Sequence, residues 1–348
     1  MLSIIEGGLE VLSRRGPDDT EVRAATADSR CVGDGTVFAA IPGTLLDGHD
    51  FIPQALASGA SAVLLRDWPE GSEWPKDRVG IQVADPRRAL ALASHRLHGE
   101  PSQQLKVIGI TGTNGKTSTV AILRSVLEAA GIPSGGIGTT GIEWMGAGGP
   151  VQHRATHTTP EGPVLFDWLA RMRDDGVEAV ALELSSHALE QGRAAGLALD
   201  VALWTNLSRD HLDYHGDMEC YEAAKALLFG EWLANWGKPG ATAVVNVDDP
   251  VVARHLEDHP RSLAVSSRPG ARAEVRPLAE PCFSIDGCSA PIATPAGTFE
   301  LRSRLLGRHN LANALSATAC AVALGLDLDG IAAGIAASSG APGRLERV

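Results

Sequence analysis

An apolar run of strand length, Leu105–Thr111 (LKVIGIT), ends in the glycine-rich turn Gly112-Thr-Asn-Gly115-Lys116-Thr117-Ser118 and passes directly into a helix-like stretch that stops at Gly131. Few local signals restrict a fold as much. Glycines let main-chain N–H groups wrap phosphate oxygens, and a lysine here sets a cation against the β and γ phosphates. The hydroxyl of Thr117 can enter a magnesium shell, and the helix N-terminus adds a favourable dipole. The spacing is shorter than the usual G-x-x-x-x-G-K-[ST], so the strand–turn–helix setting carries the reading more than the letter pattern does. A loop of this kind belongs to an α/β sheet whose strand ends line a ligand crevice.

The flanking sequence agrees. Val177–Leu184, Leu199–Thr205 and Thr242–Val247 are apolar strand candidates that alternate with helix candidates at 160–174, 186–194 and 218–230. Such alternation implies a mostly parallel sheet covered on both faces. Short alternating runs over 272–303 suggest an antiparallel appendage, and Ala-rich helices follow at 309–324 and 329–337. Ahead of the turn, Thr36–Pro42, Ser61–Leu65 and Val79–Val83 read as strands, and Asp85-Pro86 opens a helix to about Leu97. The polar stretch HGEPSQQ (98–104) reads as a linker. The expected organisation is α/β, with a small N-terminal α/β domain over 1–103 and a central P-loop-type mononucleotide-binding domain over 104–339. The central domain carries the antiparallel appendage, and 340–348 is a terminal linker. A length of 348 residues is right for two cores.

Composition removes whole classes of function. Lys plus Arg number 30 against 42 Asp plus Glu, a formal charge of −12, which disfavours generic binding to nucleic acid. No run approaches the roughly 18 apolar residues of a membrane span. The N-terminus, MLSIIEGGLE, has no basic region of a signal peptide, so a cytoplasmic location is expected. Five scattered cysteines (31, 220, 282, 288, 320) with no C-x-x-C argue for a reducing compartment, against a disulfide framework and against structural zinc.

Two more clusters sit at the C-terminal ends of apolar strands. One is Glu183-Leu-Ser-Ser-His187; taken alone, a Glu in this place is more often a helix cap. The other, Thr205–His215, gathers Asn206, Asp210, His211, Asp213 and His215 within one loop. Three strand ends thus deliver phosphate donors, a carboxylate and imidazoles to one edge, which suggests a nucleoside triphosphate with magnesium. On residue type alone, Lys225 reads as a solvent-facing helix lysine.

These blocks, with HTTP (157–160), LELSSHALEQGR (182–193), TNLSRDHLDYHGDMECYEAAK (205–225), NVDDP (246–250) and GRHNLANALSA (307–317), occur in order between Asp28-Ser29-Arg30 and Pro342-Gly343-Arg344. The combination resembles the Mur ligases, in particular the branch that adds the third residue of the peptidoglycan stem peptide. The resemblance implies ATP-dependent amide formation on UDP-N-acetylmuramoyl-L-alanyl-D-glutamate with an amino acid, meso-diaminopimelate first among candidates, by a monomer using ATP and Mg2+. It implies an ATP site at Gly112, Thr113, Asn114, Gly115, Lys116, Thr117, Ser118 and Asn310. Magnesium would lie beside Thr117, Glu183, His211 and Lys225 as its carbamate, with Lys116, Glu183, His211 and Lys225 the catalytic set. Substrate would meet Ser29, Thr44, Leu45, Leu46, His157, Thr158, Thr159, Ser185, Gln191 and Arg193. The resemblance also implies a third, amino-acid-selecting domain after Gly343-Arg344, so a truncated form is expected. Two other readings stay open: a folylpolyglutamate synthase-like ligase, and a module that holds both ligands but joins nothing.

Overall fold

The short apolar runs of the first hundred residues pair into one sheet. In the computed structural model, which describes residues 9–43, 46–71 and 73–341, this sheet comprises β1 (Val11–Arg15), β2 (Ala24–Thr26), β3 (Thr36–Ala39), β4 (Ala62–Leu65) and β5 (Val79–Val83). Their order is β1-β5-β4-β3-β2, with β1 antiparallel and the rest parallel. β1 and β2 are additions to the sequence reading; both are short edge strands without a long apolar run to betray them. Asp85 caps helix Pro86–Leu97 by accepting from the N–H groups of Arg87 and Arg88. That helix lays Ala89, Leu90 and Ala93 on Val37, Leu64 and Ile81.

Residues 160–171 and 191–196, which the sequence reading placed in the second domain, pack with this first unit. The cause is close helix packing. A Cβ at Gly162 would collide with Ala91, and the His95 ring lies on Phe166 with centroids 4.6 Å apart. The expected linker 98–104 is also more structured than its polarity suggested. It holds the short helix Pro101–Gln104, and buried Ser102 accepts a hydrogen bond from Ala198 N–H at 2.9 Å within the second unit.

The second unit is built on an eight-stranded sheet. Its members are β6 (Lys106–Thr111), β7 (Ser134–Gly138), β8 (Gly141–Gly146), β9 (Gly149–His153), β10 (Ala179–Glu183), β11 (Val201–Trp204), β12 (Thr242–Asn246) and β13 (Ser262–Val265). The order is β13-β12-β11-β6-β10-β7-β8-β9, parallel as far as β7 and antiparallel in the β7–β8 and β8–β9 pairs, the latter a hairpin. The hairpin escaped the sequence reading because its glycines and Pro150 mimic a loop, although Ile142 and Trp144 alternate inward. The antiparallel appendage forms as expected from β14 (Arg276–Pro277), β15 (Cys282–Ser284), β16 (Gly287–Thr294) and β17 (Gly297–Ser303).

One helix stops short of its apolar pattern and another runs past it, through Trp236. The expected 186–194 helix ends at Glu190, just before the chain joins the first unit. The expected 218–230 helix is α only over Met218–Leu227 and continues as a π-helical turn, Leu228–Leu233. On one face of the main sheet, helix Lys116–Ala129 meets helices Arg308–Ala323 and Leu328–Ala337. Helix Arg308–Ala323 is buried almost all round, and its alanines permit that close approach.

Gly334 marks the tightest of these contacts, since a Cβ there would strike the Val126 main chain. Gly334→Val should therefore cost about 2 kcal/mol of unfolding free energy, read as a lower urea midpoint; an unchanged midpoint would show that these helices can part at no cost.

Candidate functional site

The site starts from sheet order. β6 lies between β10 and β11, and all three run the same way, so their C-terminal ends share one rim of the second unit. The turn 112–115 leaves the end of β6 and feeds helix Lys116–Ala129. Gly112 (φ 139°) and Gly115 (φ 88°) both have left-handed backbone. A Cβ on Gly112 would collide with Thr205 Oγ1, and one on Gly115 with Asn313 Oδ1. Here the glycines are required by close approach as well as by conformation.

Two lysines converge on the turn. Lys116 Nζ donates to the carbonyls of Gly112 (2.6 Å) and Thr113 (3.0 Å). Lys225 Nζ, from helix Met218–Leu227, donates to the same Gly112 carbonyl at 3.1 Å. Lys225 is 1% exposed, which overturns the solvent-facing reading drawn from its residue type. Loss of hydration, reinforced by the Lys116 charge, pulls its pKa down to about 6, against a weaker opposing pull from Asp210. Its ammonium lies 4.6 Å from the ring centroid of Tyr221, one helical turn away, and Tyr221 Oη meets Thr113 Oγ1 at 3.2 Å.

Glu183 ends β10 and is 1% exposed. It is no helix cap. Its carboxylate accepts from Thr139 N–H (2.9 Å) and Thr139 Oγ1 (3.2 Å), and Gly138 leaves room for it. Thr159 Oγ1 donates to the Glu183 carbonyl (2.8 Å) and accepts from Ser185 N–H (3.0 Å), while Thr158 Oγ1 meets Thr139 Oγ1 at 3.2 Å. Thr158, Thr159, Glu183 and Ser185 therefore form one cluster with Thr139, a residue that no sequence signal marked. Thr117 is buried at the first turn of its helix, and His157 lies next to Thr156, Nδ1 to Oγ1 at 3.1 Å.

His211 has left-handed backbone (φ 52°) and caps helix Leu212–His215. Its ring sits edge-on to His187 (5.0 Å between centroids) and 6.2 Å from Tyr221, the ring under Lys225. His215, by contrast, is buried. Its Nε2 meets Ser186 Oγ at 2.9 Å, its Nδ1 lies 3.3 Å from Glu190, and desolvation lowers its pKa. Burial and the Ser186 bond make His215 a packing residue, with Nδ1 making no hydrogen bond. Among the described residues no group of three or more His, Cys, Asp or Glu is gathered as a metal cage.

Beside the turn lies a cavity of about 680 Å³ lined by Asn114, Gly115, Ser118, Asn206, Asn310 and Asn313, among others. Asn310 donates from Nδ2 to Leu306 O at 2.9 Å and is partnered by Asn313. Asn246, Asn313 and Ser316 also line it but were not singled out from sequence. Asn310, Asn313 and Ser316 follow helical spacing, which would have placed them on one face.

The remaining expected residues belong to the first unit. Ser29 and Leu46 line a second cavity of about 800 Å³ with Asp28, Phe51, Gln54 and Arg87. Arg193 Nε donates to Gln191 Oε1 at 2.8 Å and lies 3.2 Å from Glu161 Oε1, which also holds Arg87. Thr44, Leu45 and the segment 342–348 lie outside the described residues.

Comparison with known proteins gives these features a context. The Mur ligase middle-domain family matches residues 110–321, and a second Mur ligase family, described as a catalytic domain, matches residues 21–97. UDP-N-acetylmuramoyl-L-alanyl-D-glutamate–2,6-diaminopimelate ligase of Geobacter metallireducens is 44% identical over 94% of this chain and 63% of its own length. A solved structure of a ligase with the same name superposes with TM-score 0.78 at 30% identity, covering 93% of this chain and 64% of that one. The fold is also similar to that of a MurF ligase from Thermotoga maritima solved in complex with ADP (TM-score 0.60, 22% identity, 95% of this chain and 69% of that one). The chain thus spans a little under two thirds of the length of the first two of these proteins.

Burial of Lys225 has a consequence for stability. Between about pH 6 and its unfolded value near 10.4, the unfolded chain holds a proton there that the folded chain does not. This group's contribution to stability is therefore greatest above the unfolded value and falls as pH drops through about 6. Lys225→Met, in buffer free of bicarbonate, should stabilise the protein more at pH 7 than at pH 9.5 by chemical denaturation. An equal effect at both pH values would mean that Lys225 keeps its proton in the fold.

Proposed function

This chain belongs to the Mur ligase family, and from that premise we propose that it provides the nucleotide and UDP-substrate sites of an ATP-dependent ligase. The ligase joins meso-diaminopimelate to UDP-N-acetylmuramoyl-L-alanyl-D-glutamate. The observation that carries the proposal is the placement of buried Lys225 beside the glycine turn, where it shares the Gly112 carbonyl with Lys116. A structural lysine has no reason to sit dehydrated next to another cation. A lysine destined to become an anion does.

The chemistry runs in two transfers. The substrate's terminal carboxylate, from D-glutamate, attacks the γ-phosphorus of ATP, ADP leaves, and an acyl phosphate forms. The amino group of the incoming amino acid then attacks the acyl carbon, and the C–O bond to phosphate breaks, giving amide, phosphate and a released proton. Both partners of the first step are anions, so the work is electrostatic and positional.

The residues divide that work. The first turn of helix Lys116–Ala129 offers N–H donors and a positive dipole end to the phosphates, and Lys116 can turn from the loop carbonyls to the β and γ oxygens. The 680 Å³ cavity, with Asn310 at its helical wall, suits the adenosine part. With a pKa near 6, the Lys225 amine is mostly unprotonated at neutral pH, the form that adds carbon dioxide to give a carbamate and a proton. Thr117, Glu183, His211 and the Lys225 carbamate, mostly hard oxygen donors of the kind magnesium takes, would hold that ion. Magnesium, when bound, neutralises phosphate charge. In the first unit, the 800 Å³ cavity with Ser29 and Leu46 suits the uridine diphosphate end. Arg193 is assigned to a substrate carboxylate, which its planar fork can bind at two points. In the second unit, His157, Thr158, Thr159 and Ser185 are assigned to the muramoyl-peptide end.

Lys116→Ala should weaken ATP binding by about tenfold to a hundredfold in titration calorimetry; unchanged affinity would remove the phosphate-loop assignment. With 13C-bicarbonate, the wild-type chain should show a carbamate carbon resonance that Lys225→Arg lacks. A spectrum with no such resonance in wild type would remove the carbamate while leaving the nucleotide site standing.

A further inference from the structure

The glycine turn does not hold its shape alone. Asn206, two residues past the end of β11, meets it at three points. Its carboxamide accepts from Asn114 N–H (Oδ1, 2.9 Å) and donates to the Asn114 carbonyl (Nδ2, 2.9 Å). Its own main-chain carbonyl accepts from Thr113 N–H at 3.0 Å. A primary carboxamide presents one donor and one acceptor much as a peptide group does, so Asn206 pairs with Asn114 as a neighbouring strand would. Thr205 Oγ1 adds a bond to the Asn114 carbonyl at 2.7 Å.

The brace is itself anchored. Asn246 Nδ2 donates to Thr205 O at 2.6 Å, and Asp249 accepts from Leu207 N–H at 2.7 Å, so the residues on both sides of Asn206 are tied to the end of β12. Thr113 and Asn114 therefore spend their N–H groups on the brace. Presenting donors to phosphate falls to the first turn of the helix that follows.

We propose that Asn206 is a positioning residue that pre-shapes the phosphate loop by pairing with the Asn114 peptide, an inference that rests on the nucleotide reading above. A loop held before the ligand arrives loses less conformational freedom on binding. Aspartate could not replace it: one oxygen would still accept from Asn114 N–H, but the donor would be gone and a negative charge would stand beside the phosphates.

The test compares ADP with adenosine on the full chain by titration calorimetry. Asn206→Ala should weaken ADP by about tenfold and adenosine, whose cavity Asn206 also lines, by clearly less. Asn206→Asp, which keeps the side-chain shape if the alanine variant fails to fold, should weaken ADP further and again cost adenosine less. Equal losses for both ligands would reduce Asn206 to a general packing role and overturn the proposal, as would unchanged ADP affinity in both variants. A wild-type chain that binds no ADP would instead overturn the nucleotide reading itself.

Discussion

One carbonyl oxygen, that of Gly112, receives two lysine side chains, and the architecture of the second unit is arranged so that they can reach it. Lys116 arrives by local geometry, folding back from the first turn of its own helix. Lys225 arrives by topology, from a helix more than a hundred residues later in the chain. Both depend on β6 being central, because only a central strand can have its terminal loop braced from β11 on one side and faced by the Glu183 end of β10 on the other. An edge strand would leave that loop open on one flank.

The cost of this arrangement falls on Lys225. Dehydrating an ammonium beside a second cation opposes folding, and the lowered pKa expresses that opposition as loss of a proton. The fold absorbs it with a ring below, Tyr221, and a carbonyl ahead, Gly112. Glu183 is treated differently. It is as deeply buried, yet Thr139 gives it two hydrogen bonds and Gly138 gives it space. A carboxylate so held keeps one fixed direction, which is what a group meant to meet a cation needs.

The first unit solves its own electrostatic problem in a similar way. Glu161 stands between Arg87 and Arg193 and keeps two guanidinium groups from repelling each other apart. All three belong to that unit, although Glu161 and Arg193 lie deep in the sequence of the other. Long excursions of this kind are invisible to any reading that cuts a chain into consecutive pieces. The helix entered at Gly162 joins the first unit because Ala91 and His95 offer it a close-packed face, and that is a fact of shape, not of order along the chain.

Local chemistry made part of this protein readable along the chain. The strand–turn–helix around Gly112–Ser118 was legible because glycine, lysine and hydroxyl at that spacing have one strong use, and the apolar strands β10, β11 and β12 announced a parallel sheet through their unbroken hydrophobicity. Tertiary structure decided the rest: that Lys225 is buried, that Thr139 clamps Glu183, that Asn206 pairs with Asn114, and that 160–171 and 191–196 leave the unit their neighbours build. The physical reason is the same in each case. Burial, hydrogen-bond partnership and lowered basicity belong to pairs of residues brought together by the fold, and no single stretch of chain contains both members.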